Sequence, residues 1–543
     1  MATFRSRIFP VAVLAGVLLP ASALAAGEGE LDTTGVMLQS ATGASDWLIT
    51  LPFVIPLIGA ALALALRGRI GFQSWVALVS MGLATIAAVA AFAKVLADGP
   101  QVMAVGNWLP PFGILIAVDA LGALFVLITT LVGLVGLGYA RADTDEGSVQ
   151  YGFFTFYQLM IAGVCGAFST GDIFNLYVWF EVFLLSSFGL IVMGSTAIQL
   201  DGGVKYGLLN LVATTVFLIA VGLLYGLTGT LNMADIGQVL AARPSGPLLT
   251  VCALFVLAFA MKAAVFPLHF WLPASYHTPA VIVSALFAGL LTKVGIYSLM
   301  RVVVMLFGAE FDHFSALLIV LGTATGVLGA LGALAQADLR RMAAFLVVSG
   351  IGAMIVGIGF GTVAGLTGTI VYAVHSIIAM TALFVLVGTM EGATGVRTLN
   401  DGGGLYTAFP FAAALGLGVI LAVAGLPPFS GFWPKFLLVD AAFQRGDALA
   451  VLGAAGVLLT AVITTIVLGR AWVLTVLRPA GDVTPPAAAS GDEMSGKMGT
   501  LALLVMLLLG LGLFPSLVIP AAEVGAEGLL DPVLYTQRVL SVQ

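Results

Sequence analysis

Charge is what this chain has least of. Only 8% of its 543 residues are Asp, Glu, Lys or Arg, against about 25% in soluble globular domains. A water-facing surface of ordinary extent is thereby excluded. The net charge of −6 is small and dispersed, and no basic patch marks a nucleic-acid partner. Cysteine is nearly absent. Cys165 and Cys252 both fall inside apolar runs, which argues against a disulfide framework or a cysteine-bound metal. There is no CxxC pair, no GxGxxG followed by an acid, and no P-loop. The sequence therefore predicts no flavin, iron–sulfur cluster, haem, nucleotide or metal of its own.

What is present is apolar: 61% of the residues are hydrophobic and the mean hydropathy is +1.15. Runs of about 20 apolar residues are membrane spans, and backbone groups in lipid must bond internally, so the spans are helices. The fold class expected is an all-α polytopic membrane protein. From Trp47 onward the pattern predicts fourteen spans, the third at 113–138, the seventh at 247–268, the twelfth from 408 to about 440 and the last at 499–521. Ahead of them, Arg5 and Arg7 precede an apolar stretch and an Ala23-Leu24-Ala25 triplet, a signal-peptide pattern that makes 1–46 a leader and extracytoplasmic segment. With the N-terminus outside, ten loop cations fall inside (Arg67, Arg69, Arg141, Lys205, Arg340, Arg341, Arg397, Arg470, Arg478, Lys497) and five outside (Lys94, Arg243, Arg301, Arg445, Arg538). The positive-inside rule favours that orientation, and an even span count puts the C-terminus outside too.

Against this apolar background a few ionisable residues stand out. Glu181, Lys262, Lys293 and Lys435 lie deep in long apolar runs. A charge at mid-bilayer costs roughly 2.5–3.5 kcal/mol on insertion scales. Burial disfavours a lysine's charged form and a nearby carboxylate favours it, so a Lys–Glu pair of variable separation is a proton switch. Glu181 is the natural partner of Lys262. His375 lies midway between Lys293 and Lys435 as a candidate relay. His269 and His277 flank a break after the seventh span and are candidate entrances. Lys205 is ambiguous, either snorkelling to the interface or bridging Glu181 and Lys262. Asp119 reads as a cap or an acceptor from a neighbouring helix, His313 as a surface residue, and Arg340 and Arg341 with Asp338 as a cytoplasmic anchor.

Prolines break two of the spans. Pro267 and Pro273 follow Lys262, and Pro427, Pro428 and Pro434 crowd before Lys435. Interrupted helices in matching positions of two halves point to an inverted-repeat transporter.

The segments GDIFNLYVWFEVFLLSSFGLIVMG, MKAAVFPLHFWLPASYHTPAVIVSALFAGLLTKVGIYSLMR and LAVAGLPPFSGFWPKF carry a resemblance. They resemble the antiporter-like subunits of respiratory complex I and of Mrp multisubunit cation/proton antiporters. The stretches around Glu181 and 227–236 look most like the D-type subunit of Mrp. The resemblance covers about residues 47–475. It implies fourteen helices: helices 1–3 at 47–138, inverted five-helix repeats at 139–306 and 307–475, and a loop, a last helix and an outside tail at 476–543. It implies broken helices 7 and 12 and a proton pathway of Glu181, Lys205, Lys262, Lys293, His375 and Lys435. The partners it implies are an A-type subunit and small membrane subunits, with Na+ exchanged indirectly, in a bacterial inner membrane. Two departures weaken the second half: Met380 replaces a frequent lysine, and Gly350 a frequent polar residue. The alternatives are a pumping subunit of complex I or of a membrane-bound hydrogenase, or a scaffold that no longer conducts.

Overall fold

The computed structural model describes residues 37–38, 43, 45–242, 246–401, 403–479 and 491–541. The signal-like pattern, Arg243 and most of the Pro/Gly/Ser-rich stretch lie outside the described residues. The structure is 81% helical. Among the described residues, ten helices are long and apolar enough to cross a membrane.

In chain order the main elements are α1 (Leu51–Ala65) and α2 (Ile70–Asp98), a hairpin of β1 (Gln101–Ala104) and β2 (Leu115–Val118), then α3 (Ala120–Asp143), α4 (Phe153–Ser169), α5 (Ile173–Ile191) and α6 (Ala197–Thr228). Next come α7 (Leu248–Ala263), α8 (Val281–Val304), α9 (Gly308–Ala335), α10 (Leu339–Gly359) and α11 (Val363–Thr394). The chain closes with α12 (Pro410–Ala424), α13 (Phe432–Arg445), α14 (Ala448–Leu477), α15 (Gly491–Leu513), α16 (Ile519–Leu530) and α17 (Val533–Leu540). Among the described residues five apolar helices are shorter than the ten: α1, α4, α7, α12 and the 10-residue Met233–Ala242.

The scarce polar residues mark where helices begin. Asp119, Asp172, Thr196, Asp338, Thr362 and Asp447 each accept the backbone N–H three residues on, capping α3, α5, α6, α10, α11 and α14. This corrects the start of the third span: 115–118 is a strand paired antiparallel with 101–104, and the helix begins after the Asp119 cap. The last span is also displaced. It runs to Leu513, the chain turns at Pro515–Leu517, and α16 folds back against α11 and α3. Proline stops a helix because its ring excludes the preceding turn.

Helices α8 and α11 are buried on every side, whereas α2, α6 and α15 present most of their surface outward. The centre is held by close approach between small residues. On α9, Gly322, Gly326 and Gly329 face Ser349, Gly352 and Val356 of α10; a Cβ on Gly329 would meet the Ser349 backbone nitrogen at 2.6 Å.

Two helices are interrupted. α7 ends at Ala263, and Ala264 takes the left-handed conformation, with φ +59°. The chain then runs irregularly past Pro267 to a short helix, Trp271–Ser275. α12 ends at Gly425, with φ +87°, and Leu426–Gly431 lead into α13. Pro434 is not part of that break: it sits in the first turn of α13, where its missing N–H has no helical partner to lose.

Candidate functional site

The last turn of α7 carries Lys262 into the interior. A Cβ at Gly295 would lie 2.8 Å from the Ala263 nitrogen, so α7 rests against α8 on a glycine, beside the turn that carries Lys293. Lys262 is 5% exposed and its Nζ has no hydrogen-bond partner. The Phe180 ring lies 5.5 Å from it. Glu181 is the carboxylate that acts on it electrostatically, yet the two form no ion pair within 4.0 Å. Glu181 instead has the Tyr177 hydroxyl beside it, one turn earlier on α5. A buried lysine amine without a hydrogen-bond partner is costly in either protonation state, and packing alone gives no reason for it.

Lys293 is fully buried at the end of a π-helical turn, Phe287–Leu291, and donates to the Ala288 carbonyl at 2.6 Å. Such turns leave backbone carbonyls without their usual partner and recur at functional sites. His375, on the buried α11, shares a hydrogen bond of 2.8 Å between Nδ1 and the Ser430 hydroxyl. Lys293 and Lys435 both lie within electrostatic reach of its ring. Lys435 starts on α13 and reaches back to α12, donating to the carbonyls of Ala424 at 2.6 Å and Val423 at 3.2 Å. Those are orphan carbonyls of a helix end, where a cation is favoured.

The expected gap at Gly350 is flanked by polar groups from α11. A Cβ there would lie 3.6 Å from the Tyr372 hydroxyl and 3.9 Å from Ser376 Oγ, and Ser376 Oγ has no hydrogen-bond partner. Met380 is buried, and the neighbouring Thr381 hydroxyl bonds to the carbonyls of Ile377 and Ala285.

Other expected site residues lie apart. Lys205 pairs with Asp201 at 2.5 Å on the outward surface of α6, its side chain 50% exposed. The structure does not bring it between Glu181 and Lys262. His269 lies in the α7 break with Nδ1 unpartnered. His277 bonds through Nδ1 to the Pro273 carbonyl and lines a cavity of about 410 Å³ with Asp338, Arg340, Glu391 and Arg397. Burial, and next the Arg341 charge, push the His277 imidazole below its ordinary pKa. Glu391 joins Arg340 and Arg397, each at 2.7 Å.

Arg301 escaped the sequence reading, which placed it in an outside loop. It lies in the second π-helical turn of α8, Leu299–Val304, and is 1% exposed. Its guanidinium grips Asp119 with both nitrogens, at 2.6 and 2.7 Å. Tyr297 accepts from Nε at 3.2 Å, and the Tyr535 ring lies 5.3 Å away. Asp119 is thus both the α3 cap and one partner of a buried ion pair. The one available signal was the arginine's place at the end of a long apolar run.

Residues 170–464 match the membrane-domain model described as NADH:quinone oxidoreductase/Mrp antiporter. The chain belongs to this family. It is 35% identical to the D subunit of the Na+/H+ antiporter of Alkalihalophilus pseudofirmus, over 91% of its own length and 99% of that protein's. The resemblance to a D-type Mrp protein expected from the sequence is thereby borne out. The chain also superposes on a chain of the Mrp complex from Dietzia sp. with a TM-score of 0.82, at 29% identity, over 92% of this chain and 100% of that one. A chain of the membrane-bound sulfane sulfur reductase, an archaeal respiratory membrane complex, matches with the same TM-score at 26% identity, over 91% of this chain and 99% of that one. Both matches belong to multisubunit membrane complexes.

Proposed function

We propose that this chain is the proton-carrying, D-type subunit of a multisubunit Na+/H+ antiporter. One observation carries the reading. Lys262 is a buried amine without a hydrogen bond, close to Glu181 but not paired with it. The proton passes from Lys262 to Lys293, His375 and Lys435. Glu181 tunes Lys262 by approaching and withdrawing. Lys205 is left off the route, because Asp201 holds it on the surface. The cavity at His277 is the entrance from one face. Sodium exchange is assigned to partners, an A-type subunit and small membrane subunits.

Among the described residues ten helices are long enough to cross, and of the five shorter apolar ones α1, α4, α7 and α12 support four further spans, whereas Met233–Ala242, with 10 residues, is too short to span a core of about 30 Å. The two interrupted helices support two inverted repeats of five spans. Arg301 leaves the outside tally and Lys497 the inside one because both are buried, so loop cations stand nine to four in favour of both termini outside, in a bacterial inner membrane.

The test is expression of the whole operon in a host stripped of its own antiporters. Lys262→Ala and Glu181→Ala should abolish sodium tolerance and vesicle antiport; unimpaired transport in both would sink the reading. A second reading is a pumping subunit of an electron-transfer enzyme, and the equal TM-score of the respiratory reductase chain favours it. Purification of the native complex decides between them, since redox subunits and quinone- or sulfur-linked activity would accompany only the second.

A further inference from the structure

Between His375 and the turn that follows α15 lies a small cavity of about 20 Å³. A site needs roughly 10–15 Å³ to hold one water, so this one has room for a single molecule. His375 and Ser430 form its inner wall, Trp433 its side, and Pro515, Val518 and Ile519 its outer wall. Pro515, Val518 and Ile519 belong to the turn that follows α15, which the orientation proposed above puts on the outside face. Ser430 is 4% exposed, and its hydroxyl bonds to the His375 ring where both residues line this space. The backbone of α15 fixes it there: Ser430 N donates to the Leu508 carbonyl at 3.0 Å, and Trp433 Nε1 to the Gly512 carbonyl at 2.8 Å.

We propose that His375 and Ser430 form the outside-facing proton port of this protein, with the cavity water as its outer member and the Pro515–Ile519 turn as its cover. The inference rests on the proton-path reading above and changes its last step: the proton leaves at His375, and Lys435 acts on it through its charge. One proton crosses at a time. The imidazole exchanges a proton with the Lys293 side through Nε2. It passes its Nδ1 proton to Ser430 Oγ as that hydroxyl gives its own to the water. Each atom ends with its original proton count once the ring resets its tautomer, and the steps run equally well in reverse. Lys435, pinned to the α12 carbonyls, sets the charge felt by the port.

The test uses the complete complex in sealed vesicles, reading sodium-driven proton flux with a pH-sensitive dye and assembly on native gels. Ser430→Ala should slow flux by at least about tenfold, the lower range for loss of a proton-transfer group. Ser430→Thr, which keeps the hydroxyl, should restore it. Val518→Phe, which fills the cavity from the cover, should slow flux to a similar degree with no charged group altered. Full-speed flux in Ser430→Ala overturns the port, as does an assembled Ser430→Thr complex no faster than Ser430→Ala. Lys262→Ala is run alongside. If it loses transport while Ser430→Ala and Val518→Phe do not, the port fails and the proton path stands; if Lys262→Ala transports normally, the path itself fails.

Discussion

The break after α7 begins on Ala264, an alanine held at φ +59°, whereas the break after α12 begins on Gly425 at φ +87°. Only glycine takes that conformation without strain, and an alanine there costs about 1–2 kcal/mol. The two lysines differ in the same direction. Lys262 precedes its break and has no hydrogen-bond partner; Lys435 follows its break and donates to two carbonyls. The first has a carboxylate nearby, the second a histidine. The α7 break is therefore strained and unsatisfied, and the α12 break relaxed and bonded. Strain and missing partners at a functional site favour a change of state. The two interruptions are not copies: the first suits a switch and the second a fixed mount.

Five substitutions press on this contrast, from the largest expected effect downward. Lys262→Ala should reduce antiport by about 10²-fold or more, the scale for losing a proton-transfer group, and by more than Lys435→Ala does. Equal losses in vesicle flux would make the two breaks equivalent after all. Arg301→Ala strands the buried Asp119 beside the first half and should destabilise the protein by about 3–5 kcal/mol, seen as loss of assembled complex. Gly425→Ala places a Cβ 2.5 Å from Lys435 Nζ at a positive φ. It should lower thermal stability by at least the roughly 1–2 kcal/mol of the left-handed penalty and slow transport by displacing the lysine. Ala264→Gly removes the strain at the α7 break and should raise stability by about 1 kcal/mol. If transport slows as the melting temperature rises, the strain serves the switch. Lys205→Ala should leave flux nearly unchanged, because an exposed i,i+4 pair contributes only about 0.3–0.5 kcal/mol; a large loss would return Lys205 to the route.

The buried axis was legible because each of its charges interrupts an apolar run, and in lipid that is rare enough to be a signal by itself. Position along the chain does not reveal partners. Asp119 and Arg301 are 182 residues apart; the first alone reads as a cap or an acceptor from some neighbouring helix, the second as an outside-loop cation. Ser430 is an ordinary serine in a proline-rich turn until α15 and α11 close around it. The β1–β2 hairpin was hidden because its second strand is as apolar as the helix that follows; only the Asp119 cap separates them. The fold-back of α16 was hidden for a related reason. Apolar residues continue past Pro515, so hydropathy extends the span where the backbone turns.

The bracing of the α12 break gives α15 a mechanical part to play. Its inner side grips Ser430 and Trp433 through two backbone carbonyls, while Leu503, Met506 and Leu513 face outward. Hydrogen bonds weaken steeply beyond about 3.2 Å, so the 2.8 Å contact between Ser430 and His375 tolerates only a few tenths of an ångström. A helix whose outer side is pushed or pulled by whatever sits against it therefore works as a crank, turning a small sideways displacement at the rim into the making or breaking of one bond at the centre.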